Sequence, residues 1–268
     1  MTRLPFIDCH THSDCSPDGN DSVPSLCERA VDLGLLAYAV TDHCEANAYR
    51  EEYEERSRRS ASAILDAKDR FKGKLNLLLG IELGQPMQAL ADAEAVLAAH
   101  PYDVVIGSLH NLTAMEDFYF LDYTETDPYA LLERYFDELL RMVRWGKFDV
   151  LGHLTYPLRY MEGRAKLSID MSRFDEVIRA VLRSVAEQGL AIEINTSGLR
   201  QEIGRTLPDL SYVKLFHELG GEFLTLGSDA HRREDIGKGI PEALEIARAA
   251  GFTRICYFKE RKPVTLTL

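Results

Sequence analysis

The sequence predicts an α/β barrel, a parallel sheet closed on itself with its helices outside, and three observations predict it. Apolar, strand-like runs alternate with helix-like segments almost throughout the 268 residues, the pattern of a parallel sheet with crossover helices. Roughly seven such units follow one another without a dinucleotide-binding glycine signature, which favours a closed barrel over a doubly wound sheet. Six of the eight histidines stand at or just beyond the ends of predicted strands, where barrels of this kind carry their reacting groups.

Each element has its own signal. Leu4 to Cys9 reads as the first strand. A helix follows from about Val23 to Leu33, with Ser22 placed to cap it, Pro24 in its first turn and Gly34 to end it. Leu35 to Val40 is a short apolar run, hence a buried strand. Tyr49 to Phe71 is a long charged helix, and its basic stretch Arg56-Ser57-Arg58-Arg59 reads as a solvated face. Leu75 to Leu83 is a strand, Ala89 to Ala99 a helix, and Val104 to Leu109 a strand. Asn111 to Asp127, with Phe118, Tyr119, Phe120 and Tyr123, is too long and aromatic for a plain connector and reads as a loop over the site. Helices are expected at Pro128 to Arg144, Asp170 to Gln188, Ser211 to Leu219 and Pro241 to Ala250. Strands are expected at Val150-Leu151, Ala191 to Ile194, Phe223 to Leu226 and, last, Arg254 to Phe258.

No linker or composition break divides residues 1–268, which read as a single domain. The formal net charge of -12 and the lack of a basic run argue against a nucleic-acid partner. No apolar stretch reaches membrane-spanning length, and the amino terminus lacks the apolar core of a secretion signal. The cysteines, Cys9, Cys15, Cys27, Cys44 and Cys256, are odd in number and form no CxxC pair, so reduced thiols in a cytoplasmic protein are expected. Oligomeric state is not legible.

His10 and His12 lie two apart on a predicted strand and so point to one side, able to reach one cation. Asp8 lies on that side below them, placed to orient an imidazole, while Cys9 should face the core. Imidazoles and carboxylates without thiolate suit zinc, manganese or iron.

Asp8-x-His10-x-His12, Ser16-Pro17-Asp18-Gly19, Thr41-Asp42-His43, Gly80-Ile81-Glu82, Ser108-Leu109-His110, Gly152-His153 and Ser228-Asp229-Ala230-His231 together resemble the motifs of the PHP (polymerase and histidinol phosphatase) superfamily. The resemblance spans residues 8–231 and implies a distorted (β/α)7 TIM-like barrel with three divalent metal ions. It implies one metal held by His10, His12, Glu82 and Asp229, a second by the bridging Glu82 with His110 and His153, and a third by Asp18, His43 and His231. Aspartate at 18 departs from the histidine common there. Asp8 and Asp42 would stand behind the ligands and orient them.

The implied chemistry is phosphomonoester hydrolysis. Metal-bound water can reach a pKa near ~7, and no P-loop, Cys-x5-Arg loop or GxSxG elbow is present, so direct attack by a metal-bridging hydroxide without a phosphoenzyme is expected. Glu82, Asp229 and His231 are the candidate catalytic groups; Asp229, His231 or a metal-bound water could protonate the leaving alkoxide. Glu193-Ile194-Asn195-Thr196-Ser197-Gly198-Leu199-Arg200 and Gly152-His153-Leu154-Thr155-Tyr156-Pro157-Leu158-Arg159 resemble the histidinol-phosphate phosphatase branch, which implies that Arg159 and Arg200 bind the substrate phosphate. L-Histidinol phosphate is the expected substrate, cleaved to L-histidinol and phosphate in histidine biosynthesis. The alternatives are another small phosphomonoester, a sugar phosphate or nucleotide, and, further off, nuclease chemistry. Glu45, Glu116, Asp117 and Tyr119 are candidates to meet the substrate's ammonium or imidazole, though any one could be an ordinary loop residue. His100, His217 and Trp145 read as structural or solvent-facing.

Overall fold

Seven parallel strands form the wall of the molecule, seen in a computed structural model that describes residues 6–268. They are β1 (Ile7–Asp8), β2 (Ala37–Val40), β4 (Leu77–Gly84), β5 (Val104–Ser108), β6 (Val150–Leu151), β7 (Ala191–Asn195) and β8 (Phe223–Gly227), in that spatial order. A short strand β3 (His43–Glu45) pairs with the second half of β4. The helices α1 (Val23–Leu33), α2 (Glu54–Arg70), α3 (Leu90–Ala99), α4 (Pro128–Trp145), α5 (Asp175–Glu187), α6 (Leu210–Glu218) and α7 (Ile240–Ala249) fill the connections in turn. Past β1 the chain meets the end of β8: Asp229 N donates to the His10 carbonyl at 2.8 Å and His12 N to the Ala230 carbonyl at 2.9 Å. These bonds bring the two edges together at the end where the histidines lie.

The strands are short, and nearly all their residues are buried, as expected of a parallel sheet covered on both sides. Helix α4 shows how the outer layer is built. Asp127 caps it by accepting from Tyr129 N and Ala130 N, Pro128 opens its first turn, and Gly146 ends it in the left-handed conformation. Leu132, Phe136, Leu139 and Val143 recur at helical spacing and turn inward. Tyr135 on the same helix donates to the Leu154 carbonyl at 2.6 Å, anchoring the chain beyond β6. No helix among the described residues is long and apolar enough to cross a membrane.

Several boundaries differ from the sequence expectation, each for a local reason. Leu4 and Pro5 lie outside the described residues, and the first strand spans only Ile7–Asp8, so His10 and His12 sit past its end. Ser22 stands at the N-cap of α1 without a side-chain capping bond, whereas Pro24 and Gly34 sit where expected. The long charged helix begins as a wider turn over Tyr49–Tyr53 before α2. The segment before α5 is a tighter turn, Met171–Phe174, capped by Asp170. Arg254 begins not a last strand but a hairpin, β9 (Arg254–Lys259) with β10 (Lys262–Thr267), which forms a separate antiparallel pair. Its turn residues Glu260 and Arg261 both have positive φ in place of the Asn-Gly or Asp-Gly that marks such turns.

Candidate metal centre

The strand ends deliver the side chains to one place. Parallel pairing sets His43 directly beside Glu82, and the bonds that join the barrel edges set His10 and His12 beside Asp229. Gly227 makes the closeness possible, since a Cβ there would lie 2.4 Å from His10 Cβ and 2.8 Å from Glu193 Oε2. Glu82 is the centre of the cluster. Its Oε2 lies 2.8 Å from His43 Nδ1, 3.3 Å from His10 Nε2 and 3.6 Å from His12 Nε2. Its Oε1 lies 2.8 Å from His153 Nε2 and 3.1 Å from His110 Nε2. Asp229 Oδ1 stands 3.3 Å from His12 Nε2 and 3.9 Å from His10 Nε2. At the rim, the more exposed Asp18 lies 3.0 Å from His231 Nε2 and 3.8 Å from His43 Nε2. All nine expected ligands therefore share one contiguous site.

Four of the imidazoles are held by their Nδ1 side. His10 donates to Glu193 Oε2 at 2.9 Å, His110 to Glu45 Oε1 at 3.0 Å, and His231 to the Asp229 carbonyl at 3.1 Å. Ser16 Oγ gives its proton to Asp42 at 2.9 Å, so toward His12 Nδ1, at 3.3 Å, it can only accept. Each Nδ1 thus carries a proton, which leaves Nε2 as the ligating atom. Without a cation, burial opposes charge on His10 and His110, yet Glu193 and Glu82 raise His10, and Glu45 and Glu82 raise His110, so both would release an Nε2 proton as a cation binds. His10 Nε2, His12 Nε2, His43 Nδ1 and Glu82 Oε2 are buried without hydrogen-bond partners among the described residues. They lie near one another but out of hydrogen-bonding alignment, because they are directed at common space. Buried unsatisfied polar groups cost about 1–3 kcal/mol each, a cost a cation would remove. Three overlapping donor sets, His12/His43/His231, His10/His12/Glu82 and His43/Glu82/His110, each lie within 4.8 Å. The residues present fit divalent metals. Cys9 and Cys44, adjacent to ligands in sequence, are buried in the apolar core instead.

Without a cation, the buried imidazoles and carboxylates balance one another's charge. Burial alone would raise Glu82, but the facing His10, His110 and His43 hold it well below the carboxylate range. Burial likewise opposes charge on His43, yet Glu82 and Asp18 bring it to about 9. His12, buried and beside His43 and His231, is pushed down to about 3, which keeps its lone pair available.

Behind the ligands the structure departs from expectation. Asp8 orients no imidazole. Its carboxylate accepts from Ser228 N at 2.8 Å, Ser228 Oγ at 2.5 Å and Gly237 N at 2.8 Å, and so fixes the turn that presents Asp229. Asp42 acts through Ser16, and also takes Ser13 and Ser60 hydroxyls. Glu45 is committed to His110 and Gln85 rather than free for a ligand. Glu193 was not singled out in sequence, although it accepts from His10, from His153 N at 2.8 Å and from Asn195 Nδ2 at 3.0 Å. The available signal was an ionisable residue inside the apolar strand Ala191–Asn195.

The cluster floors a cavity of about 630 Å³, lined also by Arg159, Tyr156, Tyr160, Tyr119, Phe120 and Asp117. Asn111 to Asp127 does form part of its wall, with Phe118 and Tyr123 buried beneath. Arg159 Nη2 donates to Ser197 Oγ at 2.8 Å and Asp229 Oδ2 at 3.1 Å, and its Nε is buried and unpaired among the described residues. Arg200 is not part of the lining: its Nη2 donates to the Ser228 carbonyl at 2.7 Å. Glu116 also lies outside the lining. His217 is exposed on α6, and His100 is half-buried at the end of α3.

Residues 8–197 match the PHP domain family. The chain belongs to that family. Among PHP relatives, the probable histidinol-phosphatase of Thermotoga maritima is 29% identical over 92% of this chain and 93% of its own length. The corresponding Clostridium acetobutylicum protein is 27% identical over 95% and 97%. The crystal structure of histidinol phosphate phosphatase from Lactococcus lactis subsp. lactis, complexed with zinc, L-histidinol and phosphate, has a TM-score of 0.81. It is 25% identical and covers 97% of this chain and 99% of that one. A putative histidinol phosphatase from Listeria monocytogenes, 20% identical with a TM-score of 0.71 over 88% of this chain and 99% of that one, shares the fold.

Proposed function

We propose that this PHP protein is a metal-dependent phosphomonoesterase that hydrolyses L-histidinol phosphate to L-histidinol and phosphate. The observation that carries the chemistry is the convergence of the Nε2 atoms of His10, His12, His110 and His153 on the two oxygens of the buried Glu82. The substrate rests on near full-length similarity to histidinol-phosphatases and on the Lactococcus structure with L-histidinol and phosphate. His10, His12, Glu82 and Asp229 would hold one cation, Glu82, His110 and His153 a second, and Asp18, His43 and His231 a third. Zinc, manganese and iron suit these donors. When bound, such cations lower the pKa of water toward neutrality and stabilise charge on phosphoryl oxygens.

The chain's own residues supply the rest. Arg159, held by Ser197 and Asp229, presents a guanidinium edge to the cavity for phosphate oxygens. Asp229 Oδ1 faces His12 while Oδ2 accepts from Arg159, and despite burial its cationic neighbours hold it well below the carboxylate range. It would therefore serve as ligand and anchor for Arg159, and the proton for the leaving alkoxide would come from His231 or a bound water. Glu45, Glu193 and Ser16 keep the imidazoles in the ligating tautomer. A shared apolar core supports treating residues 1–268 as one phosphoesterase domain. Steady-state kinetics across phosphomonoesters, with and without chelator, test the assignment. We expect chelation to abolish turnover and L-histidinol phosphate to lead in kcat/KM. A rate no higher than for an aryl phosphate would overturn the substrate, and full turnover after chelation the chemistry.

A further inference from the structure

Gln85 is a buried polar residue in a backbone conformation that does not suit it. It follows Gly84, the last residue of β4, with φ 46° and ψ 47°. Glycine enters this left-handed region freely, and a residue with a Cβ rarely does. Every hydrogen-bonding group of its side chain is used. The His110 N–H, which can only donate, meets Gln85 Oε1 at 2.9 Å and so fixes the sense of the amide. Nε2 then gives one proton to Glu45 Oε2 at 2.6 Å and the other to Asn111 Oδ1. Asn111 is fixed in its turn, because its own Nδ2 donates to the Leu112 and Met115 carbonyls at 3.0 Å each. The backbone N of Gln85 donates to the Ser108 carbonyl at 3.0 Å, tying the residue to the end of β5.

These bonds place Glu45. Its Oε2 is held by Gln85, and its Oε1 takes the His110 Nδ1 proton at 3.0 Å. Glu45 pairs in register with Gly84, and its carboxylate lies where a Cβ on that glycine would overlap it. Gln85 therefore holds His110 twice, at the main-chain N directly and at Nδ1 through Glu45. The ring is left with Nε2 facing Glu82 Oε1 at 3.1 Å and His153 Nε2 at 3.4 Å. A glutamine thus keeps a conformation that glycine would hold more easily, and its amide is saturated by bonds that orient one ligand. Strain of this kind is characteristic of functional sites. From this geometry, and resting on the metal-centre reading above, we propose that Gln85 is a positioning residue that sets the occupancy of one cation, the one between Glu82, His110 and His153. The cation at His10 and His12 is served instead by Glu193, so the two positions respond unequally to loss of Gln85.

The test reads metal rather than turnover. Zinc affinity by chelator competition, and anomalous peak heights in crystals equilibrated with limiting zinc, are compared for wild type, Gln85→Glu, Gln85→Gly and the double variant Gln85→Glu with Glu45→Gln. Gln85→Glu keeps the size but sets an oxygen against Glu45 Oε2. It should weaken the cation between Glu82, His110 and His153 by about tenfold or more, with a smaller change at His10 and His12. Gln85→Gly suits the backbone and removes both side-chain bonds to the His110 system, so it should fold and lose the same cation. The double variant reverses donor and acceptor between the two side chains and should recover part of the affinity. Wild-type affinity at that position in Gln85→Glu, or an equal loss at both positions, would overturn the proposal. Should Gln85→Glu fail to fold, Gln85→Gly decides alone by the same criterion. A wild type that binds zinc at neither position would instead overturn the metal reading itself, and the proposal with it.

Discussion

Replacing Glu193 by glutamine should strip metal from a protein that remains folded. The carboxylate is buried within β7 and takes His10 Nδ1 on one oxygen, and His153 N with Asn195 Nδ2 on the other. A glutamine carbonyl can keep the last two. Its amide must then face His10 Nδ1, donor against donor. The clash is relieved when the His10 proton moves to Nε2, which removes the lone pair aimed at the site. The lost bond is charge-assisted, worth about 1.5–3 kcal/mol, or roughly ten- to hundredfold in metal affinity, the range typical of groups that orient a metal-bound histidine. Glu193→Ala should be worse, because it also leaves the His153 amide unpaired, at about 1–3 kcal/mol, and leaves Asn195 Nδ2 only its longer bond to Asp229. Chelator competition gives the metal affinity, and circular dichroism with thermal melts gives the fold. Wild-type metal affinity in Glu193→Gln would refute the tautomer argument.

Other outcomes follow from the same structure. Gly227→Ala should destabilise the protein by about 1–3 kcal/mol in urea titration and weaken metal binding, because the new methyl would strike His10; unchanged stability would show that the close approach is not required. Chelation should lower the melting temperature by roughly 5–10 °C at hundredfold metal excess over Kd, since the cluster is buried and its unpaired atoms are satisfied only by cations; an unchanged melt would count against occupancy of the buried site. All five cysteines are buried, and burial pushes Cys27 and Cys256 up to about 12. Below that pH thiolate is scarce, so at pH 8 the native protein should resist a thiol reagent until urea unfolds it. Rapid labelling of any cysteine in the native state would contradict this.

Sequence exposes the part of the site built by pattern. Strands covered on both faces are apolar runs, so ionisable residues at their ends, such as Glu82, His110 and His153, stand out. The seven-strand order follows from the alternation itself. What pattern hides is pairing between distant segments. Glu193 reads as one more residue of β7, and only the fold shows that it faces His10, a residue 183 positions away. Asp8 has the spacing of a group behind His10 and His12, but β1 ends early and its carboxylate turns to Ser228 and Gly237 instead. β3 was missed because His43-Cys44-Glu45 has a strand's register without its apolar composition. The terminal hairpin was missed because its turn uses Glu260-Arg261. Arg159 and Arg200 look alike in sequence; their different carbonyl, carboxylate and hydroxyl partners separate them.

The most direct test is anomalous diffraction from crystals grown with inorganic phosphate. The account predicts metal peaks between the Nε2 atoms of His10 and His12 and the Glu82 carboxylate, and between Glu82, His110 and His153, with phosphate reaching Arg159. An imidazole cluster that binds no metal, or a phosphate held away from both Glu82 and Arg159, would contradict it.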